Sequence, residues 1–298
     1  MAVQFANTDL PDVIELKNVT QEYYDAKKKK TNVVIQDLNL LIEDKPNQGQ
    51  FVVILGKSGC GKSTVLRYIA GLQNPTSGQV LIHGKPRTRD TRISMVFQKY
   101  SSFPWLSVLD NIALGLEYAS MPKKERHEKA MQMVEIVGLT GHEHKYPAEL
   151  SGGQQQRVAI ARSLICNSSI LLMDEPFGAL DIYTRLRMQD FLADIWRKAL
   201  QDMTIIFVTH DIPEAVYLGD EIWIMSANPG QIVEKVHIDI PIYRAKDMKR
   251  EKKFTDYVYY IEDRLNETGT PTASPIVQPE SPKATSLLFS GIKSKKEA

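Results

Sequence analysis

Residues 51–64 read FVVILGKSGCGKST. The first five form a continuous β-branched and aromatic run, as expected of a strand buried on both faces. It leads straight into a glycine loop that fits G-x-x-x-x-G-K-[ST], with Gly56, Gly61, Lys62 and Ser63 in the fixed places. Glycines let the backbone wrap tightly enough for several N–H groups to point at one anion. The helix expected over residues 62–72, ending near Gly71, adds its positive N-terminal end. Lys62 supplies a cation to the β- and γ-phosphates of a nucleoside triphosphate, and the Ser63 hydroxyl is a ligand for Mg²⁺. Buried strand, phosphate loop and helix in that order announce an α/β fold.

The pattern extends in both directions. SSILLMDEP and MTIIFVTHD are two more buried-strand runs, each ending in polar residues. Strands alternating with helices argue for a mostly parallel sheet. Residues 13–19 (VIELKNV) and 33–42 read as strands, with the lysine run Lys27, Lys28, Lys29 and Lys30 between them. That run is a solvated loop or, as the sharper alternative, a nucleic-acid or lipid patch. From Tyr100 to Cys166 the pattern turns helical, with Ala130, Met133, Val134 and Val137 near a 3.6-residue spacing. EIWIM and IVEKVHIDI read as a closing antiparallel piece. Phe254, Tyr257, Val258, Ile261 and Leu265 share one face of a C-terminal helix, expected within residues 244–267. Residues 268–298 are rich in Pro, Ser and Thr, the composition of a disordered tail, with LLF at 287–289 as a conceivable docking motif.

The strand ends carry the chemistry. In a parallel sheet the end of ILLMD lies beside the phosphate loop. Asp174 there suits Mg²⁺ held through its water shell, and Glu175, pointing elsewhere, suits a general base acting on water. His210, at the end of IIFVT, can hydrogen-bond a γ-phosphate and orient Glu175 and the water. Gln98, after MVF, can touch Mg²⁺ or the same water. Acids at strand ends often simply meet solvent; the phosphate loop is what gives these meaning. Cys60 sits inside the loop near a helix N-terminus and Lys62, a setting that favours its thiolate. On that reading a thiol reagent inhibits and bound nucleotide protects; the alternative is a small filler.

A second glycine turn, LSGGQQQR at residues 150–157, completes an ordered set that resembles the ATP-binding-cassette (ABC) ATPases over roughly residues 13–230. The resemblance implies the ABC type of phosphate-loop fold: a mixed core sheet, an antiparallel β piece and a helical subdomain near residues 100–166, all within residues 1–243. It implies ATP and Mg²⁺ as ligands. ATP would be held by Gly56, Ser58, Gly59, Cys60, Gly61, Lys62, Ser63 and Thr64, with Tyr23 stacked on adenine. Mg²⁺ would be held by Ser63, Gln98 and Asp174. Ser151, Gly152, Gly153 and Gln154 would close over the ATP of a second subunit, a homodimer mate or a related cassette. Helix dipole and close backbone approach make physical sense of that, with a helix expected from about Gln154. Asp181, in GALD, matches the loop that contacts the opposite subunit, and His210 matches the switch histidine.

Within the family, HKYPAELSGGQQQR resembles importer subunits, and SSFPWLSVLDNI, LLMDEPFGALDIYTRLRMQDFL and NPGQI resemble the nitrate/sulfonate/taurine group. Phe103, Pro104, Trp105 and Leu106 follow the glutamine loop. In this family that is where a short helix of a transmembrane permease docks, and buried aromatics are suitable anchors; the bland alternative is helical-subdomain core. Lys57 stands where proline is common, and Asn228 replaces a basic residue before Pro-Gly. The resemblance implies an ATP hydrolase that powers import of a small solute, such as nitrate, sulfonate or taurine, fed by a solute-binding protein. The alternative is a soluble ABC regulator or assembly factor.

Bulk properties bound these readings. The chain has 298 residues, 43% hydrophobic and 24% charged, with net charge +1. That suits a globular core and gives no electrostatic case for nucleic acid. Two cysteines make no disulfide framework. No signal-peptide pattern opens the chain, and no uncharged apolar run nears the roughly 20 residues needed to span a bilayer. The expected location is therefore peripheral, on the cytoplasmic face of the cell membrane through a partner.

Overall fold

The structure, a computed structural model, describes residues 13–25, 29–45, 48–88, 91, 93–99, 101–200, 202–240 and 246–267. Lys27, Lys28, Tyr100 and the proline- and serine-rich residues 268–298, with the LLF run, lie outside them.

The chain opens with β1 (Ile14–Asp25) and β2 (Lys30–Ile42), an antiparallel pair with bulges near Val19 and Gln21. Then come β3 (Phe51–Gly56), α1 (Lys62–Ala70), and the strands β4 (Ser77–Ile82), β5 (Lys85–Pro86) and β6 (Ser94–Val96). Three helices follow, α2 (Val108–Glu117), α3 (Lys123–Ile136) and α4 (Gly152–Leu164). The rest is β7 (Ile170–Asp174), α5 (Ile182–Ala199), β8 (Thr204–Thr209), α6 (Ile212–Leu218), β9 (Glu221–Met225), β10 (Ile232–His237) and α7 (Lys252–Glu267).

Two sheets form. A four-stranded antiparallel sheet has the order β2-β1-β4-β5, and a six-stranded mixed sheet the order β10-β9-β3-β8-β7-β6. β3 is buried at every position, as its run of apolar residues requires. Its alternate residues serve two cores. Val52 and Ile54 face α1 and the antiparallel sheet, whereas Phe51, Val53 and Leu55 face the layer that holds α4 to α7. Phe51 packs edge-on against Trp196 and at a tilt against Phe207.

β9 corrects the expected antiparallel closing piece. It pairs parallel with β3, and only β10 runs antiparallel, at the edge. The reason is visible in burial: β9 is buried at all positions, as a strand inside a parallel body must be, whereas β10 is largely alternating. The expected helix at the signature also shifts. α4 begins at Gly152, not near Gln154, because Ser151 is its N-cap.

Register sets the site. Leu55 lies beside Thr209, Val208 beside Asp174, and Met173 beside Val96. The C-terminal ends of four neighbouring parallel strands therefore form one row, which delivers Gly56, His210, Glu175 and Gln98 to the same edge.

Candidate active site

The phosphate loop is open for an anion. Gly61 takes φ 108, left-handed backbone that an L side chain rarely adopts, and an added Cβ would lie 2.9 Å from Ile35 Cγ1. As N-cap of α1 it supplies no side-chain bond to the first turn. By contrast α2, α4, α5 and α6 are capped by Ser107, Ser151, Asp181 and Asp211. α3 also lacks a side-chain cap, but only at α1 do the uncapped N–H groups follow the glycine loop, where a phosphate can take them. Ser58 and Gly59 are exposed at the tip of the loop, while Ser63 and Thr64 are half-buried at its exit.

Lys62 is 4% exposed, and its ammonium donates to the carbonyls of Gly56 at 2.8 Å and Lys57 at 3.1 Å. Glu175 Oε1 lies 3.7 Å away. A buried cation folded over an open anion cradle fits polyphosphate. Ser63 Oγ donates to Asp174 Oδ1 at 2.7 Å. Burial pushes the carboxyl of Asp174 up, and the Ser63 hydrogen bond pulls the other way. Among the described residues no group of three or more His, Cys, Asp or Glu side chains is placed to hold a metal. Ser63 and Asp174 instead offer two oxygens at the mouth of a phosphate cradle. That donor set suits a hard cation whose other ligands are phosphate oxygens and water.

Glu175 is the hub. Its Oε2 lies 3.2 Å from His210 Nδ1 and accepts from Gln98 Nε2 at 3.3 Å. Its backbone φ is 43°, a conformation that costs an ordinary side chain about 1–2 kcal/mol. Two hydrogen bonds hold it there: Glu175 N donates to Val208 O, and Gly178 N donates to Glu175 O, both at 3.0 Å. The turn rotates Glu175 away from Asp174 and toward His210.

Cys60 corrects the thiolate expectation. It is 1% exposed, and burial pushes its thiol up despite Lys62 nearby. It is a packed filler under the loop. The NPGQI turn lies against it: a Cβ on Gly230 would meet the Cys60 carbonyl oxygen at 2.2 Å. Tyr23 is 46% exposed, its hydroxyl accepting from Gln73 Nε2 at 3.0 Å, and Tyr24 is more exposed.

The signature residues form a separate unit. Ser151 Oγ accepts from Gln154 N at 3.3 Å, and Gln154 Oε1 accepts from Ser151 N at 3.0 Å. The Ser151 side chain is exposed, and its hydroxyl proton is not used in that box. Gly153 serves packing, since a Cβ there would lie 2.8 Å from Thr184 Cγ2. Among the described residues, no hydrogen bond of Ser151 or Gln154 reaches the phosphate loop; Gln154 Nε2 meets His142 Nε2 at 3.0 Å. Asp181 caps α5 by accepting from Thr184 N at 3.0 Å. Hydrogen bonding from Thr184, first its side chain and then its backbone N–H, holds the Asp181 carboxyl below the ordinary range.

The loop at Phe103 is pinned from below. Fully buried Asn111 accepts from Phe103 N and donates to the carbonyls of Phe103, Leu106 and Ser107. Arg162, on α4, donates to Ser101 O at 2.7 Å and lies over the Phe103 ring. Trp105 is 69% exposed, with its ring 5.3 Å from that of Phe103. It is not subdomain core. Among the described residues no helix is long and apolar enough to cross a membrane.

Sequence reading missed Asn111 and the side chains that brace the His210 loop, Thr209, Glu214 and Gln189. One signal was present: Asp211 followed by Glu214 is a helix-start pattern.

Comparisons with known proteins give the family and the fold. The family profile described as ABC transporter matches residues 36–178. A nitrate import ATP-binding protein of Synechocystis sp. is 44% identical over 240 residues, covering 78% of this chain and 88% of the relative. An aliphatic sulfonates import ATP-binding protein of Bacillus cereus is 45% identical over 231 residues, covering 77% and 88%. Among solved structures, a dimeric ATP-binding cassette in a post-hydrolysis state bound to ADP and Pi is similar at TM-score 0.65 and 33% identity. It covers 76% of this chain and 100% of its own.

Proposed function

The chain belongs to the ABC transporter family as an ATP-hydrolysing cassette, and on that premise we propose that it powers uptake of a small solute through a separate membrane permease. The relatives' names support an oxyanion-type cargo such as nitrate or a sulfonate, with taurine in the same chemical class. A solute-binding protein would deliver it. The cassette itself sits at the cytoplasmic membrane face, held by the permease.

One observation carries the catalytic reading: the Glu175 carboxylate is gripped by His210 and Gln98 beside Lys62. Glu175 takes the proton of the attacking water as general base. His210 aims that carboxylate through Oε2, Gln98 donates to the same oxygen, and Lys62 lies nearer the other. Lys62 and the uncapped start of α1 bind the phosphates, and Tyr23 faces the base. Ser63 and Asp174 would hold Mg²⁺, with Gln98 as a further ligand on the family pattern. When bound, the ion offsets charge on the β- and γ-phosphates.

Closure needs a second cassette. Ser151 keeps its hydroxyl proton for a γ-phosphate presented by the partner, and Gly152, Gly153 and Gln154 follow at a helix start. Asp181 lies on the same approach. Because the γ-phosphate is part of that interface, hydrolysis opens it. Exposed Trp105, on its pinned loop, supports docking of the permease at Phe103, Pro104, Trp105 and Leu106.

The test is capture. Tagged Glu175→Gln protein with ATP, mixed with detergent-solubilised native membranes, should recover a polytopic membrane protein. Recovery of soluble proteins alone by a dimer shown to be intact would contradict uptake and favour a regulatory ABC protein.

A further inference from the structure

Both chain neighbours of His210 are tied to Glu214, Thr209 through the buried carboxylate and Asp211 through Thr209 and the Glu214 backbone N–H. Thr209 Oγ1 donates to Glu214 Oε2 at 2.5 Å and accepts from Asp211 N at 3.0 Å. Glu214 N donates to Asp211 Oδ1 at 2.9 Å, closing the first turn of α6. Thr209 and Glu214 are 2% and 4% exposed. The other carboxylate oxygen, Glu214 Oε1, accepts from Gln189 Nε2 at 3.0 Å, and Gln189, on α5, is also buried.

The chain of bonds continues to the C-terminal segment. Lys249 Nζ, in the turn Lys246–Arg250 that leads into α7, donates to Gln189 Oε1 at 2.8 Å. It lies 3.9 Å above the ring of Tyr217, whose hydroxyl donates to Asp190 Oδ1 at 2.8 Å. None of these side chains is among the groups that line the phosphate loop.

The amide of Gln189 gives this arrangement its direction. An amide has a donor end and an acceptor end of nearly the same shape, whereas an ammonium only donates. Lys249 therefore holds Gln189 Oε1 outward and its NH₂ toward Glu214. Without Lys249 the amide can flip and set an oxygen against a buried carboxylate, which must then move or lose a partner. Movement of Glu214 releases Thr209 and Asp211, the residues on either side of His210.

We propose that Lys249 is a positioning residue for His210, acting through Gln189, Glu214 and Thr209, so that residues 246–267 hold the histidine in line with Glu175. The proposal rests on the hydrolytic reading of Glu175 and His210 given above.

The experiment uses the full chain with Mg·ATP and compares wild type, Lys249→Met, Lys249→Arg, Gln189→Leu and the Lys249→Met/Gln189→Leu double variant. Lys249→Met should lower kcat roughly tenfold, with KM for ATP within about twofold of wild type. Lys249→Arg, which keeps the donor, should restore most of the loss. Adding Lys249→Met to Gln189→Leu should cost nothing further, because both act on one path. In the histidine C2–H NMR spectrum, the resonance assigned to His210 by its absence in His210→Ala should shift in Lys249→Met. The proposal is overturned if Lys249→Met turns over within twofold of wild type, if its loss is equally large in the Gln189→Leu background, or if the His210 resonance does not move. Retained turnover in Glu175→Gln would instead overturn the hydrolytic reading, and the NMR result judges the Lys249 path independently of turnover.

Discussion

His210 Nδ1 lies 3.2 Å from Glu175 Oε2, joining the ends of two strands that adjoin in the sheet. Strand register sets Asp174 beside Val208, so Glu175 and His210 leave their strands at the same edge, and Glu175 does so in a left-handed turn. A carboxylate has only acceptor sites, so any hydrogen bond across this contact must come from the imidazole. On the proposed mechanism this contact lets the histidine orient the base.

Glu175→Gln keeps the shape and removes the basicity. Steady-state ATPase assays should show a loss of about 10²–10⁴-fold, the usual worth of a general base. Nucleotide affinity, read by equilibrium binding of a fluorescent ATP analogue, should persist. Lys62→Ala should do the reverse, weakening binding first.

Asp174 carries a pH signature. Burial raises its carboxyl, so the folded state holds the proton more tightly than the unfolded chain does. Stability from this group is full below the unfolded value of about 3.9 and is lost as pH rises through the folded value. Ligand-free Asp174→Asn should therefore melt higher than wild type at pH 7, with the gain shrinking as pH falls. The same variant should lose Mg-dependent turnover. A lower melting temperature at pH 7 without Mg²⁺ or nucleotide would show that the ionised carboxylate stabilises the empty site.

The two cysteines should separate cleanly in maleimide labelling. Cys60 is buried with a raised thiol, and Cys166 is exposed. Native protein should label quickly at Cys166 alone, with ATPase activity retained, and Cys60 should react only on unfolding. Rapid labelling of Cys60 with loss of activity would restore the thiolate reading.

Trp105→Ala should leave the melting temperature nearly unchanged, because the ring is largely exposed. Recovery of the membrane partner in the capture experiment should fall roughly tenfold or more, as for a central aromatic anchor. Undiminished recovery would move the docking site elsewhere.

Much of this was legible because local chemistry and global topology coincide at the strand ends. A parallel strand buried on both faces is a plain apolar run, so FVVIL, ILLMD and TIIFVT were readable, and each run ends on the residue that matters. β5 and β6 were not readable, being too short to show a period. β9 and β10 were read as alike because both are apolar-rich, and only the burial of β9 on two faces separates them. The Cys60 error was one of balance: proximity to Lys62 was visible, but burial, the larger effect, depends on Gly230 and Met225 from far along the chain. The brace behind His210 joins Thr209, Gln189 and Lys249, and no sequence period links residues on a strand, a helix and a C-terminal turn.

The central claim is that an ATP site is completed by Ser151 of a second cassette. Light scattering of Glu175→Gln with and without ATP, alone and combined with Ser151→Arg, tests it most directly. Glu175→Gln should double in mass on adding ATP, and the Ser151→Arg combination should stay monomeric while still binding the fluorescent ATP analogue. ATP-driven dimers that form equally well with Ser151→Arg would contradict the account.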